Sequence, residues 1–266
     1  MIKTNKKYEN LITFGCSFTG GHLLGEEGSW GFALSKLLNC NHVNKSGGGS
    51  NTNMVSNIIN YCENNDMTNS CIGVQWSEVT RREYWDDNNN RFNTLGLGTF
   101  DPQHKILVRD NSHYDSLSFI KNNYSFFGPM WFNLSENLLR TIIAMISIKS
   151  YLKNKNIDFI MFEGINSIKT INKSFYPENY KTDINHYGSS QGNDFSLLRD
   201  EIRISLLNDD TFYSELGDWM NAMYEHPNFD TKLNDGHPHQ EIVDWWVGNI
   251  YQHIKYTKYT IYYISY

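Results

Sequence analysis

Apolar residues in this chain gather in short β-prone runs that alternate with longer stretches of helical period. Residues 11–14 (Leu-Ile-Thr-Phe) form one such run and stop at Gly15, as a buried strand does when a turn takes over. Ser29 fits the N-cap of a helix through Trp30, Phe32, Leu34, Leu37 and Leu38. A short strand at 40–44 comes next, then a glycine-rich loop at 45–51. An amphipathic segment carrying Met54, Val55, Ile58, Ile59 and Tyr61 follows it. Residues 71–76 (CIGVQW) predict a third strand. The clearest helix, capped by Asn133 or Ser135, places Leu138, Leu139, Ile142, Ile143, Met145, Ile146, Ile148 and Leu152 on a wide apolar face. Residues 158–163 (DFIMFE) predict a fourth strand. Helical segments are expected near 197–207 and 212–224, and a last helix over about 240–254 carries Ile242, Val243, Trp245, Trp246 and Ile250.

Strands alternating with helices imply a mostly parallel sheet covered on both faces, an α/β fold of three α/β/α layers. One domain over 1–255 is expected, with irregular insertions at about 81–132 and 166–194; stretches this long without a period are more often functional than linking. The aromatic, β-prone tail at 256–266 predicts an edge strand or a contact segment for a second copy. In such sheets ligands bind outside the carboxyl ends of the strands. Ser17, the loop at 47–49 and Ser77 all follow strands, so all three belong to that edge.

Composition narrows the picture. The chain has 266 residues, 39% of them hydrophobic and 15% aromatic, enough for one large core. A formal net charge of -6 without any Lys/Arg cluster argues against a nucleic-acid surface. No apolar stretch suits a signal peptide or a membrane span, so a cytoplasmic or virion-associated protein with no membrane partner is expected. Cys16, Cys40, Cys62 and Cys71 form no C-x-x-C pair, which fits a reducing compartment rather than a disulfide or zinc framework.

The candidate chemistry lies in the loops. A serine just past a buried strand, at a sharp turn towards a helix, exposes its hydroxyl among backbone N–H groups, as an acyl-transfer nucleophile must. Ser17 has that placement; its alternative role is a helix-capping serine in a tight turn. The 47–49 glycines allow close backbone approach to a ligand, or form a plain surface turn. The loop is no phosphate loop, lacking the Lys-Ser/Thr ending, and the dinucleotide spacing is absent. Near the other end, Asn234-Asp235-Gly236-His237-Pro238-His239 offers an imidazole beside a carboxylate. Asp235, His237 and His239 could also hold a metal, but no further ligand stands at a fixed spacing.

Together these blocks resemble the SGNH (GDSL-type) hydrolases. Gly15-Cys16-Ser17-Phe18-Thr19 resembles the family's first block, with Cys16 where the family often has Asp. Residues 44–51 resemble the second block, and Asp235-Gly236-His237-Pro238 the last. The resemblance implies a flavodoxin-like sheet, Ser17 as nucleophile, His237 as general base and Asp235 as the acid orienting it. It also places Gly49 at the oxyanion, with Asn51 in the same loop. Two departures stand out. The family's third block ends its strand with Gly-x-Asn-Asp, and that Asn donates to the oxyanion; here the strand runs Gln75-Trp76-Ser77-Glu78-Val79. Ser77, Gln75 or Arg81 substitutes, or the hole has one donor fewer, a loss of about 2.7–4 kcal/mol of transition-state stabilisation. The acid, usually three residues before His, falls on Asn234, so Asp235 takes the role from two before.

The resemblance implies an esterase or acyl hydrolase needing no metal or organic cofactor, acting on a small-molecule or glycan ester. An O-acetylated glycan suits the aromatic-rich insertion. The alternative from another class is a catalytically degenerate binding or structural module, for example a virion component.

Overall fold

The computed structural model describes residues 2–3, 5–21, 24–47, 50–77, 81–86, 91–95, 134–163, 212–213 and 239–260. Five parallel strands make the central sheet: β1 (Asn10–Phe14), β2 (Asn41–Asn44), β3 (Ser70–Trp76), β6 (Asp158–Glu163) and β7 (Phe212–Tyr213), in the order β2-β1-β3-β6-β7. Between β3 and β6 in sequence, β4 (Arg82–Asp86) and β5 (Arg91–Leu95) form a separate antiparallel hairpin. The described helices longer than a single turn are α1 (Trp30–Leu38), α2 (Asn51–Asn64), α3 (Leu134–Asn154) and α4 (Gln240–Thr260).

Alternation along the strands sorts the core into two halves. Ile12, Phe14, Ile72, Val74, Trp76, Phe159 and Met161 point one way, onto Met54 and Ile58 of α2 and Ile142, Met145, Ile148 and Leu152 of α3. Leu11, Cys71, Ile160 and Phe162 point the other way, onto Trp30 and Leu34 of α1 and Ile242, Trp246, Val247 and Ile250 of α4. The expected three layers are therefore present. Every residue of β3 is buried, as a central strand covered on both faces requires. On the α1/α4 side, the Trp30 ring meets Phe162 edge-on at 4.7 Å between centroids, and Phe162 meets Trp246 at 4.8 Å. Gly73 makes room for this stack, because a Cβ there would lie 2.6 Å from Trp30 Cη2.

The caps are as the sequence predicts at Ser29, whose hydroxyl accepts from the Phe32 N–H. Ser50 does the same for α2 through Asn53. Four expectations change. The region after 81 opens with the β4–β5 hairpin rather than irregular chain; residues 96–133 lie outside the described set, as does the insertion at 166–194. Phe212 and Tyr213 pair with Met161 and Phe162 as an edge strand instead of starting a helix, and 197–207 is not described. α3 begins at Leu134, so Ser135 sits inside it rather than capping it. The tail does not begin at 256, since α4 continues through Thr260. No Gly or Pro stops the helix there, and Ile250 and Ile254, four apart, stay on its buried face; residues 261–266 are not described. Among the described residues, no helix is long and apolar enough to cross a membrane.

Candidate active site

The order in which strands are added to the sheet reverses at β1, which has β2 on one side and β3 on the other. A crevice opens at such a switch point, beyond the carboxyl ends of the two central strands. Ser17 lies there, half-buried, in a turn in which Thr19 and Gly20 donate their N–H groups to the Cys16 carbonyl at 3.0 and 3.1 Å. Cys16 itself is fully buried.

On the β2 flank the strand register continues into the loops. Lys45 N–H donates to Thr13 O at 2.8 Å and Gly47 N–H to Gly15 O at 2.9 Å, so the glycine-rich loop continues the β1–β2 pairing alongside the Ser17 turn. Asn44 reinforces this join. Its Oδ1 accepts from Ser46 N–H at 2.9 Å, and its Nδ2 donates to Thr19 O at 3.4 Å. On the other flank Phe14 pairs with Val74. Ser77 directly follows β3 and so leaves the sheet at the same edge as the Ser17 turn.

Beneath the turn lies a buried polar network that the sequence reading missed. Thr19 Oγ1 donates to Gln75 Oε1 at 2.6 Å, and Trp30 Nε1–H reaches both Gln75 Oε1 at 3.0 Å and Thr19 Oγ1 at 3.2 Å. The indole N–H only donates, so the atom of Gln75 facing it must be the carbonyl oxygen. Gln75 Nε2 is buried without a hydrogen-bond partner among the described residues. Gly15 is forced by this arrangement: a Cβ there would run into Thr19 Oγ1 and come within 3.0 Å of Gln75 O. The one signal in sequence was a threonine between glycines in an otherwise apolar setting.

Asn51, at the start of α2, is held in a second arrangement. Its Oδ1 accepts from Ser77 N–H at 2.8 Å, while its Nδ2 donates to Ser77 O at 3.0 Å and to Thr141 Oγ1 of α3 at 3.2 Å. Both ends of this 4%-exposed amide are thus engaged, and a substrate contact by Asn51 would require breaking one of these bonds. Ser77 Oγ, by contrast, is buried without a hydrogen-bond partner among the described residues. Leaving such a group unpaired costs about 1–3 kcal/mol.

The start of α4 packs against the segment between the Ser17 turn and α1. His239 accepts at its carbonyl from Ile242 and Val243 N–H and so occupies the capping position of the helix. Gln240 packs on Gly28, where a Cβ would meet its Oε1 at 2.8 Å. Gly28 ends the 3-10 turn Glu26–Gly28 that leads from the Ser17 turn into α1. Beside it, His42 is buried, with Nε2 2.8 Å from Thr13 Oγ1 and Nδ1 3.7 Å from Glu26 Oε1. Burial lowers the His42 pKa, and the Glu26 charge only partly opposes this.

Ser17, Gln75, Asn51 and Ser77 thus converge at the carboxyl edge, and Arg81 is half-buried a few residues past Ser77. Gly49, Asp235 and His237 lie outside the described residues.

No family profile and no curated protein matches the chain. Among solved structures it is similar to one described as a lipolytic protein of the G-D-S-L family from Desulfitobacterium hafniense DCB-2, at 10% identity and a TM-score of 0.46 over 92% of this chain and 98% of that one. It is similar also to TesA, at 12% identity and a TM-score of 0.45 over 93% and 98% of the two chains. A third likeness is to a member of the lipolytic G-D-S-L family from Veillonella parvula DSM 2008, at 12% identity and a TM-score of 0.40 over 92% and 98%.

Proposed function

We propose that this chain is a serine ester hydrolase. The observation that carries the reading is the placement of Ser17 at the switch point, in a hydrogen-bonded turn between the glycine-rich loop and the end of β3. Chain reach supports the base. His237 is two residues before His239, which is anchored at the head of α4, and two residues of extended chain span about 7 Å at most. Asp235 stands four residues before His239 in the same stretch of sequence.

In this reading Ser17 Oγ attacks the ester carbonyl while His237 takes its proton, and Asp235 holds the imidazole in the tautomer that can accept. Backbone N–H groups of Ser17 and Gly49 receive the charge that develops on the carbonyl oxygen. The tetrahedral intermediate collapses with breakage of the ester C–O bond, and His237 gives its proton to the departing alkoxide. Water, deprotonated by His237, then cleaves the acyl-serine and restores the site. No step calls for a metal or organic cofactor.

The leaving alcohol we favour is a glycan hydroxyl, so that the substrate is an O-acetylated sugar. In support, the β4–β5 hairpin follows β3 directly, lies against α2, and brings Tyr84, Trp85 and Phe92 in its sequence. Aromatic side chains of that kind present faces to sugar rings. The test is hydrolysis of p-nitrophenyl acetate and of acetylated xylan by wild type, Ser17→Ala and His237→Ala. The account expects turnover by wild type only, with unfolding midpoints alike. Equal turnover by all three would refute it, and a folded wild type without turnover would leave the degenerate binding module as the reading.

A further inference from the structure

Resting on the esterase reading, we infer that Ser77 Oγ supplies the side-chain donor to the oxyanion and that Asn51 is the residue that positions it. Three observations converge. Ser77 directly follows β3, the strand paired with β1, and so leaves the sheet at the same edge as the Ser17 turn. Its hydroxyl is buried, in a residue only 3% exposed, and has no hydrogen-bond partner among the described residues. A hydroxyl kept dry and unpaired needs an acceptor, and the acceptor that appears during ester cleavage is the carbonyl oxygen as it becomes negative.

Asn51 holds Ser77 by the main chain alone. Its amide pairs with Ser77 N–H and O at 2.8 and 3.0 Å, as a neighbouring strand would, and Thr141 fixes its remaining hydrogen at 3.2 Å. The Ser77 backbone is thereby set without using its hydroxyl, and the hydroxyl is left to the site. Gln75 Nε2 is also buried without a hydrogen-bond partner among the described residues, but its carbonyl is locked to Thr19 and Trp30 on the α1 side of the sheet, which fixes the orientation of that amide.

The clamp and the hydroxyl can be separated by mutation, because Ser77→Ala removes only Oγ. The experiment measures inactivation rates with a fluorophosphonate, and kcat and KM on p-nitrophenyl acetate, for wild type, Ser77→Ala, Ser77→Thr, Asn51→Ala and the Asn51→Ala/Ser77→Ala double variant. Ser77→Ala should lower kcat and the inactivation rate about 10²–10³-fold with KM nearly unchanged, the usual effect of losing one such donor. Ser77→Thr, which keeps a hydroxyl, should recover most of that loss. Asn51→Ala should lower kcat in the Ser77 protein but add little in the Ser77→Ala background, since it acts through Ser77. Thermal unfolding of each variant identifies any that fail to fold, and Ser77→Ala alone decides the donor claim in that event. Wild-type rates in Ser77→Ala, or an Asn51→Ala loss of equal factor in both backgrounds, overturn the inference while leaving the esterase reading standing. An unreactive wild type removes both.

Discussion

Gly15→Ala is the perturbation whose consequence follows most directly from the packing. The added methyl would collide with Thr19 Oγ1 and lie 2.8 Å from Thr19 Cβ and 3.0 Å from Gln75 O. Forcing one carbon into a filled space typically costs 1–3 kcal/mol. Thr19 cannot simply turn away, because Oγ1 donates to Gln75 and accepts from Trp30. Losing such bonds exposes buried groups to a cost of about 1–3 kcal/mol each. The smaller routes out combine to about 3 kcal/mol, which for a chain of this size lowers the thermal midpoint by about 6–12 °C. Thermal and urea unfolding of Gly15→Ala, Thr19→Ala and the double variant measure this. Removing Oγ1 relieves the worst contact, so Gly15→Ala should cost at least about 1 kcal/mol less in the Thr19→Ala protein. A midpoint within about 2 °C of wild type, or the same cost in both backgrounds, would show that the turn is not locked as described.

Three further perturbations address the frame around the site. Gly73→Ala should destabilise by about 1–3 kcal/mol by pushing Trp30 off the sheet; a neutral effect in urea unfolding would deny the close Trp30–β3 contact. Asp158 is partly buried, which raises its pKa, but bonds and charges from Lys6, Tyr8 and Lys3 outweigh this and hold it below the ordinary value. A depressed carboxyl gives stability that is present above the unfolded value of about 3.9 and lost as pH falls through the folded one. Asp158→Asn should therefore flatten the acid limb of a urea-midpoint profile below about pH 4, and an unchanged limb would count against the cluster. His42 has the opposite protonation logic, since burial lowers its pKa and the fold holds it neutral. Its contribution is full above about pH 6.5 and declines as pH drops towards the lowered value. His42→Gln should remove that slope, and persistence of the slope in the variant would assign it elsewhere.

The strands and the helix faces were legible because burial on this sheet leaves a direct trace in hydrophobic order. Leu11, Ile12 and Phe14, or the run from Phe159 to Phe162, are apolar on both faces because helices cover both. The hairpin was not legible. Arg82-Glu83-Tyr84-Trp85-Asp86 mixes charged and aromatic residues without alternating apolar positions, and between it and 91–95 the sequence Asp87-Asn88-Asn89-Asn90 holds no Asn-Gly or Asp-Gly pair. The end of α4 failed for a related reason. β-prone tyrosines and threonines after Ile254 are overridden by a helix already propagating on a packed face. At the site, Ser17 was readable from the strand-to-turn change at Gly15. The Asn51–Ser77 clamp was not, because it joins positions on different elements through a side chain that imitates a backbone. Gln75 likewise read as a candidate donor, while its environment shows it bracing Thr19 and Trp30.

The central claim is that Ser17 is an activated nucleophile, and covalent labelling tests it most directly. Folded wild-type protein would be treated with a fluorophosphonate and the adduct mapped by peptide mass spectrometry, with Ser17→Ala and His237→Ala alongside. The account predicts one adduct, on Ser17, which disappears in Ser17→Ala and falls to background in His237→Ala. No adduct on folded wild type, or an adduct on another serine that survives Ser17→Ala, would contradict it.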